Sequence, residues 1–312
     1  MPNPLHQETE YKFLGLGTDT ELFLRDKLTK QSIPVNGLLG GTKESPLPVL
    51  NISGFSVQED NVMPEFNIPP ARNWEEFSNS ITGILMYLQN LFDQKGLELD
   101  ISPSAIFNYK ALNNLQAQTF GCEPDYCVWT LTENDIDTTN PLLRRMRTAG
   151  GHIHLSFTKD GHKPELQDTF VVVKALDLFL GVPSILLDND VRRRQIYGGA
   201  GAFRPKNYSQ EIGGVEYRTL SNFWIKSPNL TRYIFRQTIK ALRFINERPN
   251  PEECLDGIKE SIIQTINFNN DSMATHLINH YQIGMPFIRL ESSREEENKD
   301  GDEEEDAHEP EF

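Results

Sequence analysis

Apolar and polar positions change period several times along this chain. From Tyr11 to Arg25 they roughly alternate, with Leu22, Phe23 and Leu24 apolar and Asp19 and Glu21 acidic. That period predicts a strand with one buried face. Gly37, Gly40, Gly41 and the Pro-rich 46–48 segment then predict a loop. A helix follows: Asn73 with Glu76 three residues later reads as an N-terminal capping box. Trp74, Phe77, Ile81, Ile84, Leu85, Leu88, Leu91 and Phe92 continue at helical spacing, and Gly96 marks the end. Further helices are predicted from about Thr169 to Leu180, stopping at Gly181, and from Ser227, with Pro228 in its first turn. Two more are predicted from Pro251 and from Asp271. Strand-like segments lie at 126–131, 150–157 and 213–220. Strands first, then a helix, more strands and finally helices is an α+β order, not a regular β-α-β alternation.

Composition narrows the class. With 38% hydrophobic and 24% charged residues, the 312-residue chain reads as a globular protein. It shows no basic-then-apolar leader with a cleavage site and no apolar run judged long enough to span a membrane, so a cytoplasmic location and no membrane partner are the expectation. Three cysteines, Cys122, Cys127 and Cys254, lack the even count of a disulfide framework and read as buried, inert thiols. The net charge of −15 is concentrated at the C-terminus: Glu291–Phe312 holds 12 acids and 2 bases. That segment has too few apolar groups to offset the entropy of ordering and is expected to be a disordered tail beyond a domain of residues 1–290. It reads as a solubility element or a docking segment for a basic partner. The body has no basic stripe for nucleic acid.

Four strand-like segments carry ligand-type side chains at even spacing. They hold Asp19 and Glu21 in GTDTELFL, Glu59 and Glu65 in QEDNVMPEFN, His152 and His154 in GGHIHLSF, and Glu216 and Arg218 in GVEYRTL. Even spacing puts both members of a pair on one face of a strand. Taken singly, each pair has a plainer reading: a satisfied structural His pair, a surface ion pair, a solvated edge. Brought together on one face, five carboxylates cannot all stay ionised without cations. Hard oxygen ligands with an imidazole suit Mg²⁺ or Mn²⁺, and such metals beside an arginine suit polyphosphate chemistry. Neither a G-x-G-x-x-G turn after a strand nor a Walker-type loop is present.

These segments resemble the signature strands of the glutamine synthetase and glutamate–cysteine ligase superfamily: TDTELFLRD its E-x-E-F-F-L strand, GGHIHLSF its G-M-H-V-H-M-S strand, GVEYRTL its E-x-R strand. With GGTKESPLP, QEDNVMPEFN, RTAGGHIH and YRTLSNFW in the same order, the chain is most similar to the phage-type COOH–NH2 ligases, or amidoligases, over Leu14–Trp224. The resemblance implies a glutamine-synthetase-like, antiparallel-rich sheet with its active site on one face and helices packed on the other. It implies that Glu21, Glu59 and Glu65 hold one metal, and Asp19, His152 and Glu216 a second. Arg218 would meet a transferred phosphate, with Arg194 and Arg204, from VRRRQIYGGAGAFRP, as phosphate or carboxylate contacts. His154 would contact substrate or stand behind a ligand, and Lys43 would approach ATP. Asp19 departs from the superfamily's glutamate, and the Glu59–Glu65 spacing is shorter than in glutamine synthetase.

The activity implied is ATP- and Mg²⁺- or Mn²⁺-dependent joining of a small-molecule or peptide carboxylate to an amine through an acyl phosphate, in a phage-infected bacterium. Two alternatives share the motifs: a guanidino-kinase-like phosphotransferase on the same architecture, and a metal- and nucleotide-binding protein without turnover.

Overall fold

The computed structural model describes residues 10–49, 53–118, 124–134, 139–188, 191–194 and 196–286. Cys122 and the acidic segment 291–312 lie outside them.

The first strands are β1 (Tyr11–Glu21), β2 (Phe23–Asp26), β3 (Ser32–Ile33), β4 (Leu47–Pro48), β5 (Ser56–Asp60) and β6 (Met63–Ala71). After helix α1 (Trp74–Asp93) come β7 (Leu97–Asp100), β8 (Ser104–Ile106), the short α2 (Leu115–Gln118), β9 (Tyr126–Cys127) and β10 (Thr132–Glu133). Next are β11 (Met146–Thr148), β12 (Gly151–Lys159), α3 (Leu166–Leu176), α4 (Val182–Leu187), α5 (Val191–Arg194), β13 (Ala202–Asn207) and β14 (Gly213–Tyr217). The described residues end with α6 (Pro228–Asn246), α7 (Pro251–Gly257), α8 (Lys259–Phe268) and α9 (Asp271–His280).

Nine strands form one sheet in the order β10-β9-β13-β14-β12-β1-β6-β5-β4. All its pairings are antiparallel. Two small sheets, β11-β8 and β3-β2-β7, flank it. One face of the large sheet is apolar: Leu16, Phe66, Ile153, Leu155, Val215 and Tyr217 are buried there. Against the sheet pack α1 on β6, α6 on β1, and α3 on β13 and β14. The α+β expectation, with an antiparallel-rich sheet, is the observed architecture.

Local signals worked where one residue decides. Asn73 accepts from the Glu76 amide at 3.0 Å, and Glu76 accepts from the Arg72 amide at 2.8 Å, so the start of α1 satisfies its own orphan donors. Its apolar stripe then buries Phe77, which stacks on Trp224 at 5.9 Å. Ser227 caps α6 through the Leu230 amide at 3.3 Å.

Gly181 is a correction. It does not stop the helix: α3 runs through a π turn, Asp177–Gly181, directly into α4, and Gly181 keeps helical angles (φ −61°). The wider turn falls where Pro183 has no N–H for the preceding carbonyls. Leu166–Leu187 is therefore one helix with the length and apolar character of a membrane span, contrary to the expectation of none; most of it is buried inside the protein, as a core helix is. The expected strand 126–131 is also shortened to Tyr126–Cys127, before a turn with Leu131 at φ 58°. Cys127 and Cys254 are half-buried rather than buried.

Candidate active site

β1 and β12 are central to the site. Asp19 lies opposite His152 of β12, and Glu21 opposite Glu65 of β6. On the other edge of β12, His154 lies opposite Glu216 of β14, which lies opposite Arg204 of β13. Opposed residues of an antiparallel pair project to the same side. Register thus gathers these side chains on the face away from the helices. They form two groups: Glu21, Asp60 and Glu65, and Asp19, His154 and Glu216, with the ligand atoms of each group within 4.8 Å of one another.

Both groups differ by one member from the expected sets. In the first, Asp60 replaces Glu59. β5 and β6 are joined by a two-residue turn, Asn61–Val62, with Asn61 at φ 55°. Gln58 therefore opposes Glu65, Asp60 opposes Met63 and Glu59 opposes Pro64. Even-numbered residues of β5 share a face with odd-numbered residues of β6, so counting in twos across the turn picks the wrong carboxylate. Glu59 points to the other side and accepts from the amides of Gly37 (2.9 Å), Leu39 (2.9 Å) and Gly40 (2.8 Å). Burial opposes its charge, but these donors and Gln116 outweigh burial and lower its pKa. It ties the glycine loop to the sheet, and Lys43 stands exposed farther along that loop.

In the second group His154 replaces His152. His154 Nε2 is 3.2 Å from Asp19 Oδ1. His152 contacts the same oxygen through Nδ1 at 3.0 Å, while its Nε2 is buried without a hydrogen-bond partner beside Gly150. Both imidazoles share the face, as the H-x-H spacing implies.

Around Glu216 the charge balance is basic. Arg218 Nη1 contacts Glu216 Oε1 directly, Arg204 Nη1 reaches it at 3.3 Å, and Lys206 Nζ lies 2.5 Å from Oε2. Arg218 is itself gripped by Asp125 (Nε to Oδ2, 2.9 Å) and by the Tyr197 hydroxyl, which donates to Asp125 at 2.9 Å. Lys206, Asp125, Tyr197 and Asp60 were not foreseen. Lys206 has a signal, since it sits two residues beyond Arg204 on β13; Asp125 and Tyr197 lie outside strands and helices and have none.

Arg194 is the remaining correction. It is buried among helices, away from the sheet face: it donates to Ser184 Oγ (3.0 Å) and Asn269 Oδ1 (3.4 Å) and pairs with the buried Asp188 carboxylate at 3.8 Å. Successive helical residues point about 100° apart, so three adjacent arginines cannot serve one site. Arg193 instead donates to the carbonyls of Thr219 (2.8 Å) and Leu220 (2.9 Å), holding the chain just after Arg218.

The two groups titrate in opposite directions. Burial, then the Asp60 charge, pushes Glu21 up to about 7. Burial with the charges of Asp19, Asp60 and Glu21 raises Glu65 well above the carboxylate range. Burial and Asp19 also act to raise Glu216, but Arg218 and both histidines outweigh them and bring it to about 2. Asp19 is likewise held well below its ordinary value by His154 and His152 against burial. One buried and two half-buried acids in need of countercharge, and two carboxylates beside an imidazole, are donor sets that fit Mg²⁺ or Mn²⁺.

No curated protein sequence matches this chain. Among solved structures, a novel glutamine synthase homolog aligns with TM-score 0.40 and 10% identity, over 86% of this chain and 67% of that one. GmaS without ligand aligns with TM-score 0.39 and 10% identity, over 89% and 71%. A GmaS/ADP complex aligns with TM-score 0.36 and 10% identity, over 88% and 69%. Residues 144–242, which carry His152, His154, Arg204, Glu216 and Arg218, match the family model described as phage phiEco32-like COOH.NH2 ligase-type 2.

Proposed function

We propose that this protein is an ATP-dependent carboxylate–amine ligase that works through an acyl phosphate. One observation carries the reading: two sets of hard-metal ligands lie next to each other on one sheet face, with Arg218 between Glu216, His152 and Asp125. Glu21, Asp60 and Glu65 would hold one divalent cation, and Asp19, His154 and Glu216 the other. Bound cations would neutralise polyphosphate and favour loss of the γ-phosphoryl group.

The chain's own groups do the rest. Arg218, fixed by Asp125 and Tyr197, presents a rigid guanidinium to an oxygen of the transferring phosphoryl group. Arg204 and Lys206, resting on Glu216, can turn to phosphate oxygens as these arrive. A carboxylate oxygen is a poor leaving group until phosphorylated; the amine then displaces phosphate from the acyl carbon. A small-molecule or peptide carboxylate and amine are the substrates in this reading, and residues 1–290 form the ligase domain. The family match over 144–242 supports ligation over transfer to a guanidino nitrogen.

The test is calorimetric titration with Mg·ATP and Mn·ATP, followed by turnover with mixed acids and amines. Binding lost in Glu216→Gln, with amide, ADP and phosphate as products, is expected. A stable phosphorylated product, or no ATP consumption under any mixture, would overturn the reading.

A further inference from the structure

Behind the sheet, on the helix side, one carboxylate collects donors from three parts of the site's basic half. Asp177, fully buried in the π turn between α3 and α4, accepts from Trp129 Nε1 at 2.6 Å, Tyr217 OH at 2.7 Å and Thr219 Oγ1 at 3.4 Å. The Gly201 amide also donates to it. Tyr217 and Thr219 flank Arg218 on either side, and Tyr217 directly follows Glu216. Gly201 immediately precedes β13, which carries Arg204 and Lys206. Trp129 follows β9, the neighbour of β13.

Two further features serve the same contact. A Cβ on Gly181 would stand 2.6 Å from the Tyr217 hydroxyl, so only glycine lets the phenol pass to Asp177. A Cβ on Gly201 would stand 2.6 Å from Trp129 Cδ1. The π turn is where the helix widens, and Asp177 is its first residue. Convergence of these donors on one buried carboxylate makes it a junction rather than a filler: Trp129 Nε1 and the Tyr217 hydroxyl would be left unsatisfied without it, while the Thr219 hydroxyl is shared between it and the Gly199 carbonyl at 3.0 Å.

We infer that Asp177 is a positioning residue: through Tyr217, Thr219, Gly201 and Trp129 it sets the backbone from which Glu216, Arg218 and Arg204 project to the opposite face. It touches no reacting atom. The inference rests on the proposed ligase reading only for what the positioned groups then do.

The test uses the full chain and two readouts. The first is the Arg218 Nε–H resonance, assigned by its loss in Arg218→Lys. Gripped by Asp125, it should lie apart from exposed arginines. The second is Mn·ATP affinity. Asp177→Ala should move the resonance towards the exposed-arginine position and weaken Mn·ATP by about tenfold or more. Asp177→Asn, which can still accept from Trp129 and donate to Tyr217, should restore most of both. Leu88→Ala, a buried change on α1 across the sheet, should lower stability and move neither. If Asp177→Ala does not fold, Tyr217→Phe, which deletes one donor, should shift the resonance part of the way. An unmoved Arg218 resonance in folded Asp177→Ala or Tyr217→Phe, or an equal shift in Leu88→Ala, overturns the inference. If the wild type binds no Mn·ATP, the ligase reading fails alone, and the resonance still decides the role of Asp177.

Discussion

The Glu21–Asp60–Glu65 group and the Asp19–His154–Glu216 group share β1 and the same kind of acid, yet their charge states run in opposite directions. Neutral donors serve the first: the Gly150 amide on Glu21 at 2.5 Å and Gln58 Nε2 on Glu65 at 3.0 Å. The second receives Arg218, Arg204, Lys206 and two imidazoles. Burial is common to both; cations are not. In the proposed reading, the difference means that the acidic group would be completed by an ion from solution. The mixed group already holds its countercharge and, in the same reading, would take a metal when an anion draws its basic side chains away.

The largest expected effect breaks the acidic group. Glu65→Gln should weaken Mn²⁺ binding in the absence of nucleotide by about a hundredfold or more, read by calorimetry. Equal Mn²⁺ affinity in the variant would mean the first ion sits elsewhere. Next is Lys206→Met, which frees Glu216 from one partner. A second Mn²⁺ should then bind without nucleotide, and Mn·ATP affinity should fall by about tenfold. A variant that left both unchanged would remove the contrast between the groups.

Glu59→Gln sharpens the assignment. Losing the charge on three backbone donors should cost about 1–3 kcal/mol in chemical denaturation. Mn²⁺ affinity should stay at the wild-type level, whereas Asp60→Asn should lose it.

The last prediction concerns pH dependence. Burial raises Asp177 to about 7 against its hydrogen-bond donors. The unfolded chain releases this proton near pH 4 and the folded protein near pH 7, so between them the folded state binds more protons. Stability from this group is present below about pH 4, falls as pH rises to about 7, and is level above. Subtracting the Asp177→Asn melting profile from that of the wild type should isolate this slope; parallel profiles would contradict it.

How far the sequence could be read depends on the distance over which each signal acts. The start of α1 was legible because Asn73 and Glu76 satisfy donors within four residues of themselves. The D-x-E and H-x-H pairs were legible because strand alternation needs no partner. Glu59 was misread because a two-residue turn inverts parity between β5 and β6. Gly181 was misread because its small size answers to Tyr217, 36 residues later in the chain, and not to a helix end.

By itself, then, the sequence determined the α+β order, the polar face and the ligand types on it, since these follow from periods of two and 3.6 and from local caps. Which acids meet, which imidazole joins them and which basic groups balance Glu216 were decided only in the tertiary structure. Cross-strand register and burial bring together residues over a hundred positions apart, such as Asp19 and His154, and local spacing carries no record of that pairing.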